Sequence, residues 1–267
     1  MGRERLVTAL LELDGVRAGF GSTTVLHGVD LALEAGEVAG VFGLNGAGKS
    51  VTMKVIAGIV PARGGRVSFA GRDVTTMEPE DRVALGMGHV PQGRQVFPGL
   101  TVEQNLRLGG HRLRKRNPAR YDELLTTMFE RFPILAERRR QLAGSMSGGQ
   151  QAALAVARAL VSDPKLLLVD EPSAGLAPSV VAEVGRILRE ANDLGVTILL
   201  VEQNVTFGLG LVERAFVMQR GRVVYGGDVA ELDQERVAGL LGVGRMLSSG
   251  VKATVAKRRT RNPKAKT

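Results

Sequence analysis

Residues 43–50 of the chain read Gly43-Leu44-Asn45-Gly46-Ala47-Gly48-Lys49-Ser50. The spacing matches G-x-x-x-x-G-K-[ST], the pattern of a phosphate-binding loop. Glycines let backbone N–H groups converge on phosphate oxygens, Lys49 would neutralise the β- and γ-phosphates, and the Ser50 hydroxyl would ligate Mg²⁺. A plain glycine-rich turn is the alternative, but an apolar run at 38–42 precedes the loop and a helix-like run at 50–57 follows it. This context favours the phosphate site.

Outward from the loop, short β-branched runs alternate with longer amphipathic stretches, which predicts an α/β fold. The runs 38–42, 166–169 and 197–201 are apolar throughout, as is typical of central parallel strands covered on both faces. Gly36 and Gly71 indicate turns between early strands, so we expect an antiparallel sheet in the first third. The predicted strands span 11–16, 29–33, 38–42, 66–69, 87–90, 166–170, 197–202, 215–218 and 223–225.

The segment from about 101 to 144 contains no strand-like run. Its stretch 121–132 has helical spacing, with one apolar stripe formed by Leu124, Leu125, Met128, Phe129 and Phe132. We therefore expect a helical insertion between two halves of a nucleotide-binding core.

Two adjacent acids, Asp170 and Glu171, end the apolar run that begins at Leu166. Carboxyl ends of strands line the ligand crevice of an α/β sheet, so Asp170 should lie beside the phosphate loop and hold Mg²⁺ through a water. We expect Glu171 to point the other way along the strand and to orient or deprotonate a water attacking the γ-phosphate. The alternative is that both acids cap a helix beginning near Pro178.

Composition excludes several classes of protein. The 267 residues are 44% hydrophobic and 24% charged, enough to bury a core, so a disordered or fibrous chain is excluded. The absence of cysteine excludes a disulfide scaffold and thiolate sites. Few aromatic residues argue against a base-stacking surface, and nucleic acid is not expected as a partner. There is no span-length apolar run and no signal-peptide pattern, so we expect a cytosolic protein.

The formal net charge of +9 comes almost entirely from the C-terminal segment. Residues 245–267 hold eight basic residues and no acid, which leaves 28 basic against 27 acidic residues in the rest. We expect this segment to be a disordered, solvated tail. Contact with acidic lipid headgroups or RNA remains the alternative.

A third motif, Ser147-Gly148-Gly149-Gln150-Gln151, precedes the strand that ends in Asp170. Together with the phosphate loop and the paired acids, in that order, it resembles the ATP-binding subunit of ABC transporters over about residues 8–242. The resemblance implies an ABC ATPase domain at 8–242, a P-loop core with a mixed sheet, an antiparallel β subdomain and a helical subdomain at about 101–146. It also implies that Ser147, Gly148, Gly149 and Gln150 contact ATP held by a partner subunit. An ordinary helix N-cap is compatible with that role.

The same resemblance assigns further positions. Phe20 stands where the family has an adenine-stacking tyrosine, and Gln92 matches the glutamine that contacts Mg²⁺ and the attacking water. Val51 replaces a hydroxyl residue of the loop, which implies weaker ATP binding. Gln203 occupies the place of the switch histidine and can hydrogen-bond the γ-phosphate without becoming cationic. Ala177 replaces the aspartate that normally ends the loop after Glu171.

The departures at Gln203 and Ala177 match one subfamily, the F-type ATPase of branched-chain amino-acid importers. The matching segments are Ser173-Ala174-Gly175-Leu176-Ala177-Pro178, Val201-Glu202-Gln203-Asn204 and Pro91-Gln92-Gly93-Arg94. The resemblance implies hydrolysis of ATP with Mg²⁺, attachment to the cytoplasmic face of the membrane, and a complex. Its other members would be two permease subunits, a solute-binding protein and a second ABC ATPase, or a second copy of this chain.

Three alternatives stay open. A urea or short-chain amide importer has an ATPase with a similar Gln92 loop. A soluble ABC ATPase acting on ribosomes or DNA usually carries two cassettes or a coiled-coil insertion. A module that senses ATP without hydrolysing it would not need Glu171.

Overall fold

The structure is a computed structural model that describes residues 9–93, 95–232 and 234–241. Arg94 and the basic segment 245–267 lie outside the described residues, as do both ends of the expected 8–242 domain. Its boundaries therefore stay a prediction.

Within the described residues, ten strands form two sheets. A four-stranded antiparallel sheet has the order β2-β1-β4-β5, and a six-stranded sheet has the order β10-β9-β3-β8-β7-β6. In the second sheet only β10 is antiparallel to its neighbour. The strands are β1 (Leu11–Phe20), β2 (Thr23–Leu33), β3 (Val38–Phe42), β4 (Ala62–Phe69), β5 (Arg72–Asp73), β6 (Met87–Val90), β7 (Leu166–Asp170), β8 (Thr197–Glu202), β9 (Arg214–Gln219) and β10 (Arg222–Asp228).

Every predicted strand is present, and so is the early antiparallel sheet. The first two strands are longer than predicted because they form one hairpin around Gly21, which has a left-handed φ of 49°. Bulges interrupt their pairing, which obscures the alternation that reveals a strand in sequence. The prediction missed β5, whose two residues are too short to form a pattern.

Helices account for the regular structure between 102 and 137, as expected. Leu124, Met128 and Phe132 are buried, which confirms that the apolar stripe faces the core. The helices of the described residues are α1 (Lys49–Ile56), α2 (Pro79–Leu85), α3 (Val102–Gly109), α4 (His111–Arg116), α5 (Pro118–Arg131), α6 (Pro133–Glu137), α7 (Gly148–Leu160), α8 (Pro178–Asp193), α9 (Val205–Leu209) and α10 (Gln234–Leu240).

The six-stranded sheet separates two apolar clusters. Along β7, Leu166 and Leu168 pack into the cluster that contains α1 and the antiparallel sheet, whereas Leu167 and Val169 pack into the cluster that contains α7 and α8. Burial on both faces explains the unbroken apolar runs. Because β3, β8 and β7 are parallel neighbours, their carboxyl ends meet at one edge of the sheet, where ligands bind in such folds.

Candidate active site

The phosphate loop connects the end of β3 to the start of α1. Gly46 and Gly48 adopt left-handed φ values of 79° and 105°, which strain any other residue. A Cβ at Gly43 would lie 2.7 Å from the Met218 carbonyl oxygen, so the backbone of β9 also requires glycine there. Because α1 begins at Lys49, the free N–H groups of its first turn and its positive dipole end face the loop. The local fold is therefore suited to an anion.

Lys49 is buried, with 4% of its side chain exposed. Its Nζ donates to the carbonyl oxygens of Gly43 at 2.9 Å and Leu44 at 3.3 Å, and lies 3.4 Å from Glu171 Oε1. Lys49 thus links the two ends of the loop through hydrogen bonds, and its ammonium group lies next to the residue that follows β7.

Glu171 departs from the expected geometry. We expected it to point away from Asp170, as neighbours in a strand do, but it lies beyond the end of β7 with a left-handed φ of 46°. This conformation turns its carboxylate toward the loop, where Oε2 accepts a hydrogen bond from Gln92 Nε2 at 2.9 Å. Both acids therefore face the phosphate loop, and the left-handed backbone costs about 1 kcal/mol. The carboxylate is held between a cation and an amide, and 11% of the side chain remains exposed.

Asp170 ends β7 beside the first turn of α1. Its Oδ1 accepts a hydrogen bond from the Ser50 hydroxyl at 3.3 Å, and the residue is 5% exposed. Burial raises the pKa of the Asp170 carboxyl above its ordinary value, and the Ser50 hydrogen bond partly opposes this. A cation here would offset the cost of the buried charge, and hydroxyl and carboxylate oxygens are ligands that suit Mg²⁺. The described residues contain no group of three or more His, Cys, Asp or Glu side chains that could hold a metal ion.

The remaining predicted residues lie apart from this cluster. Phe20 ends β1 with 52% of its surface exposed, and Val51 packs partly buried against the core. Ser147 forms the N-cap of α7 in a capping box with Gln150, and no hydrogen bond among the described residues joins it to the phosphate loop. Gly149 is buried against Val180 of α8. Gln203 is exposed just beyond β8.

Glu202, to which no sequence pattern assigned a role, ends β8 next to the site. The residue is 1% exposed, and its carboxylate accepts three backbone hydrogen bonds. The available signal was an acid at the end of an apolar strand, the pattern that led to Asp170.

The comparison with family models supplies the identification. The model described as "ABC transporter" matches residues 26–174, which include the phosphate loop, Ser147 and Glu171. The chain belongs to the ABC transporter family, as an ATP-binding protein. It is thus an ATP-hydrolysing transporter subunit that binds nucleotide, and such subunits of importers work with membrane permeases. In the part of the chain that the structure describes, no helix is both long and apolar enough to cross a membrane.

Three ATP-binding proteins of transport systems are similar to this ABC protein over most of its length. The high-affinity branched-chain amino acid transport ATP-binding protein BraG of Pseudomonas aeruginosa is 40% identical, over 80% of this chain and 91% of that protein. LivF of Archaeoglobus fulgidus, whose name assigns it to branched-chain amino acid transport, is 36% identical over 81% and 91%. LptB of Escherichia coli K12, an ATP-binding protein of lipopolysaccharide export, is 30% identical over 85% and 94%.

A solved structure confirms the ABC ATPase fold. The crystal structure of the ADP conformation of an ATP-binding cassette from an ABC transporter superposes with a TM-score of 0.74 at 28% identity. The superposition covers 88% of this chain and 95% of that one.

Proposed function

We propose that this ABC protein hydrolyses ATP at the carboxyl edge of the six-stranded sheet to drive import of branched-chain amino acids. One observation carries the catalytic part. The Glu171 carboxylate is held between Lys49 and Gln92, next to the loop that would hold the phosphates. A fixed carboxylate at that place is suited to orient water and to accept its proton.

The ATP phosphates would lie in the loop 43–51, on the N–H groups of Gly46, Gly48 and the first turn of α1. The Lys49 Nζ atom lies 3.4 Å from Glu171 Oε1, on the side of the loop where the β- and γ-phosphates would bind. Its positive charge would bind those phosphates. Phe20 would stack on adenine from the rim. Val51 has no hydroxyl group to donate to a phosphate. The backbone N–H groups and Lys49 would therefore supply most of the affinity of this loop for ATP.

Ser50, Asp170 and Gln92 would hold Mg²⁺, with phosphate and water oxygens completing its ligands. Bound there, Mg²⁺ supplies positive charge that offsets the negative charge developing on the phosphate oxygens. Asp170 contributes a buried carboxylate, and the hydroxyl of Ser50 already donates to it.

During hydrolysis Glu171 would accept the proton of the attacking water while its other oxygen stays on Gln92. Gln203, exposed at the end of β8, would donate a hydrogen bond to the γ-phosphate from its amide. Neither glutamine changes charge, so Glu171 is the group that takes the proton.

Ser147, Gly148, Gly149 and Gln150 would contact ATP held by a partner ATPase, either a second ABC subunit or another copy of this chain. The N–H groups and the positive dipole at the N-terminal end of α7 would face the γ-phosphate of the partner's ATP. We propose that the assembly includes two permeases and a solute-binding protein, at the cytoplasmic face of the membrane. The names of BraG and LivF support the choice of solute.

The first test replaces Glu171 by glutamine in the full chain. We expect Glu171→Gln to reduce ATP hydrolysis by at least about 100-fold because the proton acceptor is lost, while ATP binding is retained. Glu37→Gln is the matched control, since Glu37 is 12% exposed and its Oε1 lies 3.4 Å from Arg214 Nε. Hydrolysis unchanged in the Glu171 variant, measured as phosphate release, would contradict the catalytic assignment.

The second test identifies the complex. The tagged chain is purified from its native host in mild detergent, and the co-purifying proteins are identified. Two permeases and a binding protein whose ligand is leucine, isoleucine or valine support the proposal. A urea- or amide-binding protein, lipopolysaccharide export components, or ribosomal or DNA-repair proteins without a permease would each overturn the solute assignment.

A further inference from the structure

Glu202 is a buried carboxylate with an unusual set of partners. Its Oε1 accepts from the Ser173 N–H at 3.0 Å, and its Oε2 accepts from the N–H groups of Gln203 and Asn204 at 3.0 Å each. No ion pair to Glu202 is present among the described residues, so backbone amides satisfy it. Buried acids are usually paired with a cation or avoided, because desolvating the charge is costly.

The amides belong to two loops that flank the proposed γ-phosphate position. Ser173 follows Glu171 by two residues, in a turn where the Ala174 N–H donates to the Glu171 carbonyl at 3.2 Å. Gln203 and Asn204 begin the other loop, and Asn204 also caps α9 by accepting from Phe207 N at 3.1 Å. One side chain therefore joins the loop of the proposed base to the loop of the proposed γ-phosphate contact.

A further contact leads from the same turn to α7, whose N-terminal end carries the motif Ser147–Gln151. The turn after Ser173 leads into α8, whose Val180 lies against Gly149, and a Cβ at that glycine would come within 2.8 Å of Val180 Cγ1. A shift of the Ser173 turn would thus change the positions of both Glu171 and the start of α7.

We propose that Glu202 is a positioning residue for ATP hydrolysis. It holds the Glu171–Ser173 turn and the Gln203–Asn204 loop at a fixed separation, so that base and γ-phosphate contact act on the same ATP. The inference rests on the proposed function of Glu171 and Gln203. A carboxylate is required because both oxygens must accept. A glutamine offers one acceptor oxygen, and its NH₂ group would face an N–H donor on the other side.

The test compares Glu202→Gln with Thr197→Val in the full chain, isolated and within the purified transporter complex. Thr197 lies at the opposite end of β8, is 1% exposed, and accepts from the Gly36 N–H at 2.8 Å. Thr197→Val thus removes a buried hydrogen bond of the same strand away from the site. The measurements are kcat and KM for ATP, equilibrium binding of ATP, and the midpoint of thermal unfolding.

We expect Glu202→Gln to lower kcat by about 10- to 100-fold, the effect of a misplaced catalytic group, with ATP binding changed less than about threefold. Thr197→Val should lower the unfolding midpoint and leave kcat per folded molecule unchanged. If Glu202→Gln does not fold, Glu202→Asp serves instead. It keeps both acceptors on a shorter arm, and it should bind ATP and still lose kcat.

A double-mutant cycle with Gln203→Ala makes the assignment specific. If Glu202 acts through that loop, the two substitutions together should cost less than the product of their separate effects on kcat. The inference would be overturned if the two substitutions lowered kcat independently. It would also be overturned if Glu202→Gln, like Thr197→Val, lowered the unfolding midpoint and left kcat per folded molecule unchanged. Failure of the proposed function is distinguishable, because Glu171→Gln would then leave hydrolysis intact.

Discussion

Asp170 and Glu171 carry carboxyl groups next to each other in the chain, and the fold places the two groups in different environments. Asp170 is buried at the strand end beside Ser50, and burial raises the pKa of its carboxyl. Glu171 is turned by its left-handed backbone toward Lys49 and Gln92. The two carboxyl groups have the same chemistry, and their different environments distinguish the proposed metal ligand from the proposed base.

Phe20 provides a test at the residue scale. An aromatic contact with adenine contributes about 0.5–1.5 kcal/mol beyond its buried area. Phe20→Ala should therefore weaken ATP binding by about 2- to 13-fold, as measured by isothermal titration calorimetry, with little change in stability because the ring is half exposed. Ile59→Ala is the control, since Ile59 is 53% exposed. If the two variants bound ATP with equal affinity, the assignment of Phe20 as the residue that stacks on adenine would be wrong.

At the scale of elements, side chains that cross between segments hold the helical region together. Glu103 of α3 accepts from Arg139 Nε at 2.8 Å and Nη2 at 2.9 Å, and also pairs with Arg107 one turn away. Asn105, fully buried, accepts from the Phe97 N–H and donates to the carbonyl oxygens of Phe97, Leu100 and Thr101. The Asn105 bonds hold the backbone of residues 97–101, just before α3.

Glu103 predicts a pH dependence. Hydrogen bonds from Arg139 and Arg107 lower the pKa of the Glu103 carboxyl to about 2. A carboxyl whose pKa falls on folding stabilises the protein above its unfolded pKa, and the contribution is lost as pH falls toward about 2. The free energy of unfolding of the native protein should therefore drop more steeply than that of Glu103→Gln between pH ~4.5 and ~2. Solvent screening limits the difference to about 1 kcal/mol.

Denaturant unfolding of both proteins across this pH range measures the effect. Glu130→Gln, which changes an exposed acid of α5, is the control. Parallel pH profiles for the native protein and Glu103→Gln would show that the Arg139 bridge contributes nothing.

At the scale of the whole molecule, strand order brings distant segments to one edge. β3 lies between β9 and β8, and β7 follows β8, so the phosphate loop, Asp170 and Glu202 meet although their strands are far apart in sequence. The start of α7 makes its own capping box and exposes Ser147. The phosphate loop and the exposed start of α7 are thus separate parts of the chain, as the proposed site completed by a partner ATPase requires.

Ser147→Arg tests that completion. The long side chain should block the approach of the partner's ATP, so hydrolysis by the purified complex should fall at least about 10-fold, while the isolated chain binds ATP as before. The substitution also removes an N-cap, which costs about 1 kcal/mol. Thr101→Arg is the control, because Thr101 forms the same kind of capping box with Gln104 at the start of α3. Similar phosphate release from the two variants would contradict a role for Ser147.

Local patterns in the sequence determined the strands, the helical segment and the motifs of this ABC ATPase. Burial on both faces makes a strand apolar throughout, and a phosphate loop needs glycines at fixed spacing, so both can be recognised within a few residues. The edge strand β5 could not be recognised because its two residues are too few to show alternation. The parts of β1 and β2 nearest their shared hairpin could not be recognised because bulges interrupt the alternation.

The direction in which the two acids point depends on contacts between segments that are far apart in the chain. The Ser50–Asp170 bond spans 120 residues and the Gln92–Glu171 bond spans 79, so neither produces a local pattern. The left-handed turn at Glu171 reversed the direction predicted from strand alternation, and the three amides on Glu202 come from two loops separated by β8 and α8. Orientation at the site depends on contacts between distant segments, and these exist only once the sheet has formed.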